Sequence, residues 1–223
     1  MGVSFPAGTI VRTGEERATL VRRTYSLVFV SVLVTIAGAM FALSQASLLT
    51  AVAQHPWIAM IATFAPLLLA MRARNAFPAN IGLVFLFAFA EGVFISPLLY
   101  VYGQQRPGLI TQAAMLTIGA FGVLTAYAFI SRGDFSAWGS FFMVGLWVLI
   151  GGMILNFFFR NPVADLALAS ITVLVFSGLL VFDTWRIRNV YGPDDYVGAA
   201  VQIYLDLLNL FLAALRLLGG RRN

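Results

Sequence analysis

The chain contains no cysteine and no lysine, and its one histidine is His55. Without thiols there is no disulfide framework, no thiolate metal site and no cysteine nucleophile. A single imidazole next to Pro56, in a connection, excludes histidine-based zinc sites and Ser-His-Asp triads. All fourteen basic residues are arginine, which reads as genomic composition rather than function. Charge is scarce as well: 10% of residues, against about 25% in soluble domains. The arginines are dispersed among connections rather than gathered in a patch, which excludes a nucleic-acid partner.

What the chain has instead is apolar length. Of its 223 residues 61% are hydrophobic, enough for six or seven membrane spans of about 20 residues each. Apolar runs occupy residues 25–44, 57–71, 81–102, 110–130, 137–159, 165–187 and 197–218. Breakers separate them: Pro78, Arg106-Pro107-Gly108, Asn161-Pro162 and Tyr191-Gly192-Pro193-Asp194-Asp195. Backbone groups in lipid must be satisfied within the segment, so runs of this length mean helices. The short alternating segments of a barrel are missing. The expectation is an all-α integral membrane protein of seven helices. Residues 1–23 form a polar cytoplasmic tail and residues 24–220 a single transmembrane domain.

The tail does not read as a cleavable leader, because the run 25–44 lacks a small-residue cleavage site. Trp57, Trp138 and Trp185 lie near span ends, as interfacial anchors do. With the N-terminus inside, Arg12, Arg17, Arg22, Arg23, Arg72, Arg74, Arg132, Arg186 and Arg188 are cytoplasmic, while Arg106 and Arg160 are not. Seven spans place Arg221 and Arg222 outside, against this bias; a re-entrant last segment would remove the conflict. Gly145, Gly151 and Gly152 are expected at close helix crossings.

Against this background the ionisable residues at membrane depth stand out. Asp183 lies in SGLLVFDTWRI and Asp206 in VQIYLDLLNLFLAALRLL. Each costs roughly 3 kcal/mol or more to insert. Their depths, measured from the shared turn, differ by about 7 Å at 1.5 Å per residue, which helix tilt can close. Two carboxylates in contact cannot both ionise readily, and such a pair can share a proton and sense pH. Asp183 has a simpler alternative, an ion pair with Arg186 at i+3. In the last segment Gln202, Asp206, Asn209 and Arg216 fall on one narrow stripe. That helix should turn the stripe towards other helices or water, either lining a pore or making interhelical hydrogen bonds. Glu91, with Ser96-Pro97 loosening its helix, could line a cavity or stay structural.

The stretches FDTWRI and AAVQIYLDLLNLFLAALRLLG, with AMRAR closing the second span and AEGVFISPLL in the third, resemble the Bax inhibitor-1 family, also called the transmembrane Bax inhibitor motif family. The resemblance covers about residues 20–220. It implies seven helices with the last one central. It also implies a pH-sensitive calcium leak channel in a bacterial inner membrane, gated by Asp183 and Asp206 and latched by Arg72 pairing with Asp183; Arg74 is the neighbouring alternative for that latch. Glu91, Gln202 and Asn209 would line the path, with Ca²⁺ meeting the two aspartates transiently. No cofactor and no catalytic residue is expected. The partners would be lipid, calcium ions and protons. The family also includes modulators of a membrane-bound ATP-dependent protease, so a membrane interaction protein acting on such a protease or on a cell-survival factor is the alternative. An intramembrane aspartyl protease would require a Gly-x-Gly-Asp motif; Ile203-Tyr204-Leu205-Asp206 stands there instead.

Overall fold

A computed structural model describes residues 14–72 and 76–220. Eight helices follow one another: α1 (Gly14–Leu43), α2 (Ala46–Gln54), α3 (Pro56–Arg72), α4 (Ala79–Gln105), α5 (Leu109–Ile130), α6 (Trp138–Phe159), α7 (Pro162–Asn189) and α8 (Tyr196–Gly219). There is no strand among the described residues. Six of the helices are long and apolar enough to cross a membrane, and α2 with α3 adds a seventh span if that bent pair counts as one.

The breakers act where the chain chemistry demands. Pro56 has no backbone N–H and disfavours the helical conformation of the residue before it. The apolar stretch therefore breaks at His55, and α2 and α3 meet at 100°. The sequence reading placed only residues 57–71 in this span; α2 is an additional short helix. Asn161 caps α7, its side chain accepting from Val163 N at 2.9 Å and Ala164 N at 3.2 Å, with Pro162 at the first helical position. Pro97 lies inside α4 and leaves the Val93 carbonyl without its amide donor. The neighbouring Ser96 hydroxyl donates to that carbonyl at 2.7 Å, so the helix continues.

Two of the expected boundaries move. α1 already begins at Gly14, so the second half of the expected polar tail is helix. The last segment is one unbroken helix of 24 residues, about 36 Å long at 1.5 Å per residue. The break in the chain is at His55 and not in α8.

The described residues pack as two units. One comprises residues 25–112. Here α3 lies along α4, and α1 meets α4 almost backbone to backbone. A Cβ on Gly38 would stand 2.2 Å from the Phe89 carbonyl oxygen, and one on Gly92 2.0 Å from that of Thr35. Only glycine permits this approach. Ring contacts between Phe41 and Phe89 (5.8 Å) and between Phe64 and Phe87 (5.9 Å) flank it.

The other unit comprises residues 14–24 and 113–220. Its frame is α7, which packs against both α6 and α8. Gly139 and Gly178 admit the rings of Phe182 and Phe142, and Gly145 and Gly152 meet Val175 and Leu168. Gly151, expected at a crossing, has nothing within 4 Å of a built Cβ. Residues 145 and 152 are seven apart and share a face, whereas 151 is turned about 100° away. Of the six long helices α8 has the largest share of its apolar window buried, 56%, and α6 the smallest, 11%. Within the α8 stripe Asp206 is buried, while Gln202, Asn209 and Arg216 are half-buried.

Candidate functional site

Asp183 sits near the end of α7 and Asp206 in the first half of α8. Both are buried, at 6% and 4% exposure. The antiparallel packing of α7 on α8 brings their carboxyls within hydrogen-bonding reach of one another. Asp206 keeps one oxygen, Oδ2, buried and without a partner. Asp183 Oδ1 also accepts from Arg186 Nη1 at 3.1 Å, three residues on, the ion pair that helical spacing allows.

The guanidinium is held from more sides than the ion pair alone supplies. Nη1 also reaches Gln202 Oε1 on α8 at 3.2 Å. The Phe182 ring lies 5.5 Å from the guanidinium carbon and the Tyr191 ring 4.5 Å. Tyr191 donates its hydroxyl to the same Gln202 oxygen. It stands in the turn after α7, where burial pushes its phenol up to about 12; the charges of Asp183 and Asp195 act in the same sense, and Arg186 and the Gln202 bond oppose them. Tyr191 is therefore an O–H donor at any physiological pH. The turn is itself tied, with Gly192 N donating to Asp195 Oδ2 at 2.7 Å.

Arg188, two residues after Arg186, points about 200° away around the helix. It donates to the carbonyls of Ala128 (3.2 Å), Phe129 (2.8 Å) and Ser131 (2.8 Å). These are the otherwise open carbonyls at the C-terminus of α5, where a cation is favoured. The turn tyrosine and this cap are contacts of the α7 end that sequence reasoning missed. Tyr191 has a signal, an aromatic residue just ahead of Gly-Pro-Asp-Asp; Arg188 has none, since its acceptors are main-chain carbonyls some sixty residues earlier.

The remaining candidate residues are placed differently. Asn209 shares the α8 stripe, but its amide donates to Leu205 O at 2.8 Å on its own helix. Glu91 belongs to the other unit, buried in α4 with Oε2 unpartnered. Arg72 ends α3 with an exposed side chain, and Arg74 lies outside the described residues. The guanidinium on Asp183 is that of Arg186.

A half-open cavity of about 510 Å³ lies among α5, α7 and α8, walled by Leu116, Thr117, Ser170, Ser177, Leu210 and Ala214 together with other apolar side chains. Thr117 and Ser170 spend their hydroxyls on their own helices, at 2.7 and 2.9 Å, so the wall is effectively apolar. Leu210 stands one helical turn beyond Asp206. As for metal, no group of three or more His, Cys, Asp or Glu converges among the described residues. Two carboxyls fall short of the six to eight oxygens a resident Ca²⁺ takes.

Comparison with known proteins agrees with this architecture. A family profile described as "Inhibitor of apoptosis-promoting Bax1" matches residues 17–223. Bax inhibitor 1 of Schizosaccharomyces pombe is 32% identical over 93% of this chain and 78% of its own length. Protein lifeguard 4 of Mus musculus is 34% identical over 91% of this chain and 85% of its own. An uncharacterized membrane protein of Vibrio cholerae is 38% identical over 67% of this chain and 68% of its own. With a buried aspartate pair on its last two helices and relatives along nearly its whole length, this chain belongs to the Bax inhibitor-1 family.

Proposed function

We propose that this membrane protein is a proton-sensitive leak pathway for Ca²⁺ and similar hard cations, gated by Asp183 and Asp206. The observation that carries the reading is the pair itself: two buried carboxyls in contact, on consecutive membrane-spanning helices, with one oxygen free. Hard cations prefer oxygen ligands, and a leak requires binding weak enough to release the ion. Two carboxyls meet both conditions.

In the closed state the pair shares one proton and carries one negative charge, which Arg186 balances. A second proton neutralises Asp183 and removes the Coulomb attraction to the guanidinium. The same proton ends the charge-assisted contact between the Asp183 and Asp206 carboxyls, which joins α7 to α8; the two helices can then separate, so flux rises as pH falls. The family resemblance gives the latch to Arg72; here Arg186 takes that role, and Arg72→Gln tests whether a second cation shares it. The apolar cavity ending near Leu210 forms the outer approach, a constriction that conducts only when wetted. Gln202 lies one turn from Asp206 on the path, and the family resemblance makes α8 the central helix. The N-terminus lies on the cytoplasmic side of a bacterial inner membrane. Glu91 and Asn209 are secondary lining candidates.

The test is Ca²⁺ influx into proteoliposomes from about pH 8 to about pH 5.5, a window spanning the titration of a coupled pair, with Asp183→Asn beside the wild type. Flux that rises with acidity in the wild type and is pH-independent in the variant supports the gate. Folded protein without flux above empty vesicles refutes the reading.

One observation favours a second function. The matching family is described by its inhibition of an apoptosis-promoting protein, which is a property of an interaction partner. In that reading the aspartates hold the fold, and the N-terminal segment contacts a membrane-bound ATP-dependent protease or a cell-survival factor. Deleting residues 1–13, ahead of α1, would then abolish partner capture and leave ion flux intact.

A further inference from the structure

We propose that Tyr191 and Gln202 are positioning residues that clasp the Arg186 guanidinium on Asp183, making the α7–α8 turn part of the gate. The inference rests on the gating role given to the aspartate pair, and it assigns that gate its restraint.

An i,i+3 ion pair whose arginine is 29% exposed is weak by itself. The guanidinium exchanges its carboxylate for water at little cost. Arg186 is different because four groups fix it. Phe182 and Tyr191 offer ring faces at 5.5 and 4.5 Å, where a cation is attracted to the ring quadrupole. Asp183 and Gln202 accept from the same nitrogen, Nη1, at 3.1 and 3.2 Å. One atom therefore bridges α7 to α8, one turn before Asp206.

The tyrosine hydroxyl tethers Gln202 in the orientation that Arg186 needs. Its donor needs an acceptor, and Gln202 Oε1 takes it together with Arg186 Nη1. Were the amide turned over, its NH₂ group would face the donor-only guanidinium and the bridge to Arg186 would be lost. Tyr191 thus fixes the amide, the amide fixes the guanidinium, and the guanidinium holds Asp183. Tyr191 is fixed in turn by its own amide, which donates to Arg186 O at 2.9 Å, and by the Gly192–Asp195 tie.

The charged groups around the clasp are Asp183 and Arg186 from α7, Asp206 from α8, and Asp195 from the turn. When Asp183 takes up a proton, the rings and Gln202 still hold Arg186 beside it. The latch re-forms as soon as the proton leaves, with no search by a free arginine. Loosening the clasp weakens the partner of the Asp183 carboxylate, so the gate should open at higher pH.

The test uses the full-length protein in lipid nanodiscs. Hydrogen exchange of the segment 189–202 at about pH 8 reads the clasp without any need for ion flux. Tyr191→Phe keeps the ring and loses the hydroxyl; Tyr191→Ala loses both. Exchange should quicken about fivefold in Tyr191→Ala, the ratio that corresponds to one net hydrogen bond, and less in Tyr191→Phe. In an Arg186→Gln background Tyr191→Ala should add nothing, because the group it positions is gone. In proteoliposomes the pH midpoint of Ca²⁺ flux should move to higher pH in the same order. The clasp is refuted if Tyr191→Ala leaves exchange unchanged in a helical, folded protein, or if its effect is equal with and without Arg186. If the wild type carries no flux at all, the leak reading fails while the exchange cycle still decides the clasp.

Discussion

Replacing Asp183 by asparagine tests the gate most directly, because it is isosteric and removes the charge that Arg186 holds. The restraint is one charge-assisted hydrogen bond at 3.1 Å, with the aspartate side chain 9% and the arginine 29% exposed. A bond to a charged group contributes roughly 1.5–3 kcal/mol when shielded from water, and Arg186 is shielded well enough that only modest discounting applies. At about 1.4 kcal/mol per factor of ten, the open-to-closed ratio should rise about 10- to 150-fold. Calcium influx in Asp183→Asn vesicles at about pH 8 should therefore climb towards the level the wild type reaches only in acid, and lose its dependence on pH. A dye-loaded proteoliposome assay reads both. Flux at about pH 8 equal to that of the wild type, or a variant that still titrates, would refute the idea that this ion pair closes the path.

Asp206→Asn leaves one titrating carboxyl where there were two, so the pH profile of flux should change from that of a coupled pair to a single-group curve; an unaltered profile sinks the shared proton. Gly92→Ala drives a Cβ to 2.0 Å from the Thr35 carbonyl oxygen, and since both neighbours are backbone the cost should exceed about 3 kcal/mol, seen as lost monodisperse protein on size exclusion. Gly82→Ala, with nothing within 4 Å and an exposed helical site, should instead gain about 0.5–1 kcal/mol in thermal unfolding. Arg188→Ala strips three acceptors at the end of α5 of their donor; a destabilisation of about 2 kcal/mol is expected, with helix content retained and the flux midpoint unmoved.

Much of the fold was legible because lipid simplifies the code. A span must be apolar for about 20 residues and must end at residues that tolerate water, so Pro162, the Tyr191–Asp195 turn and Arg106-Pro107-Gly108 mark boundaries within a few residues of the observed ones. Asp183 and Asp206 were visible for the same reason, as costly exceptions to an apolar pattern. The break at His55 was not read as a corner, since Pro56 alone does not say whether a helix kinks or turns through 100°. Nor was the start of α1, because residues 14–23 are polar enough to pass for a tail while still helical. Gly151 shows the limit of composition: a glycine in a membrane helix marks a crossing only when its face is the buried one. The surroundings of Asp183 divide along the same line. Its i+3 arginine follows from helical periodicity, whereas Tyr191 and Gln202 meet that arginine only through the geometry of the turn.

The two arginines at the end of α7 differ in what they can feel, and this bears on which helix moves. Arg188 is bonded to three main-chain carbonyls of the α5 terminus. Carbonyls do not titrate, so this attachment is the same at every pH. Arg186 is bonded to a carboxyl and, through Gln202, to α8. Of these acceptors only the Asp183 carboxyl changes when a proton arrives; the Gln202 amide does not. At its contact with α6, Phe182 of α7 packs against Gly139 and Phe142 of α6 against Gly178, another tie with no ionisable member. On the proposed reading, proton uptake leaves α7 fastened to α5, to α6 and through the Arg186–Gln202 bond to the start of α8, and weakens only the carboxyl contact between Asp183 and Asp206. The separation that opens the path is then a displacement of α8, whose buried stripe carries Asp206 and whose Leu210 walls the outer cavity. A proton at one carboxyl would in this way widen both the acidic site and the apolar constriction one turn away, without any second sensor.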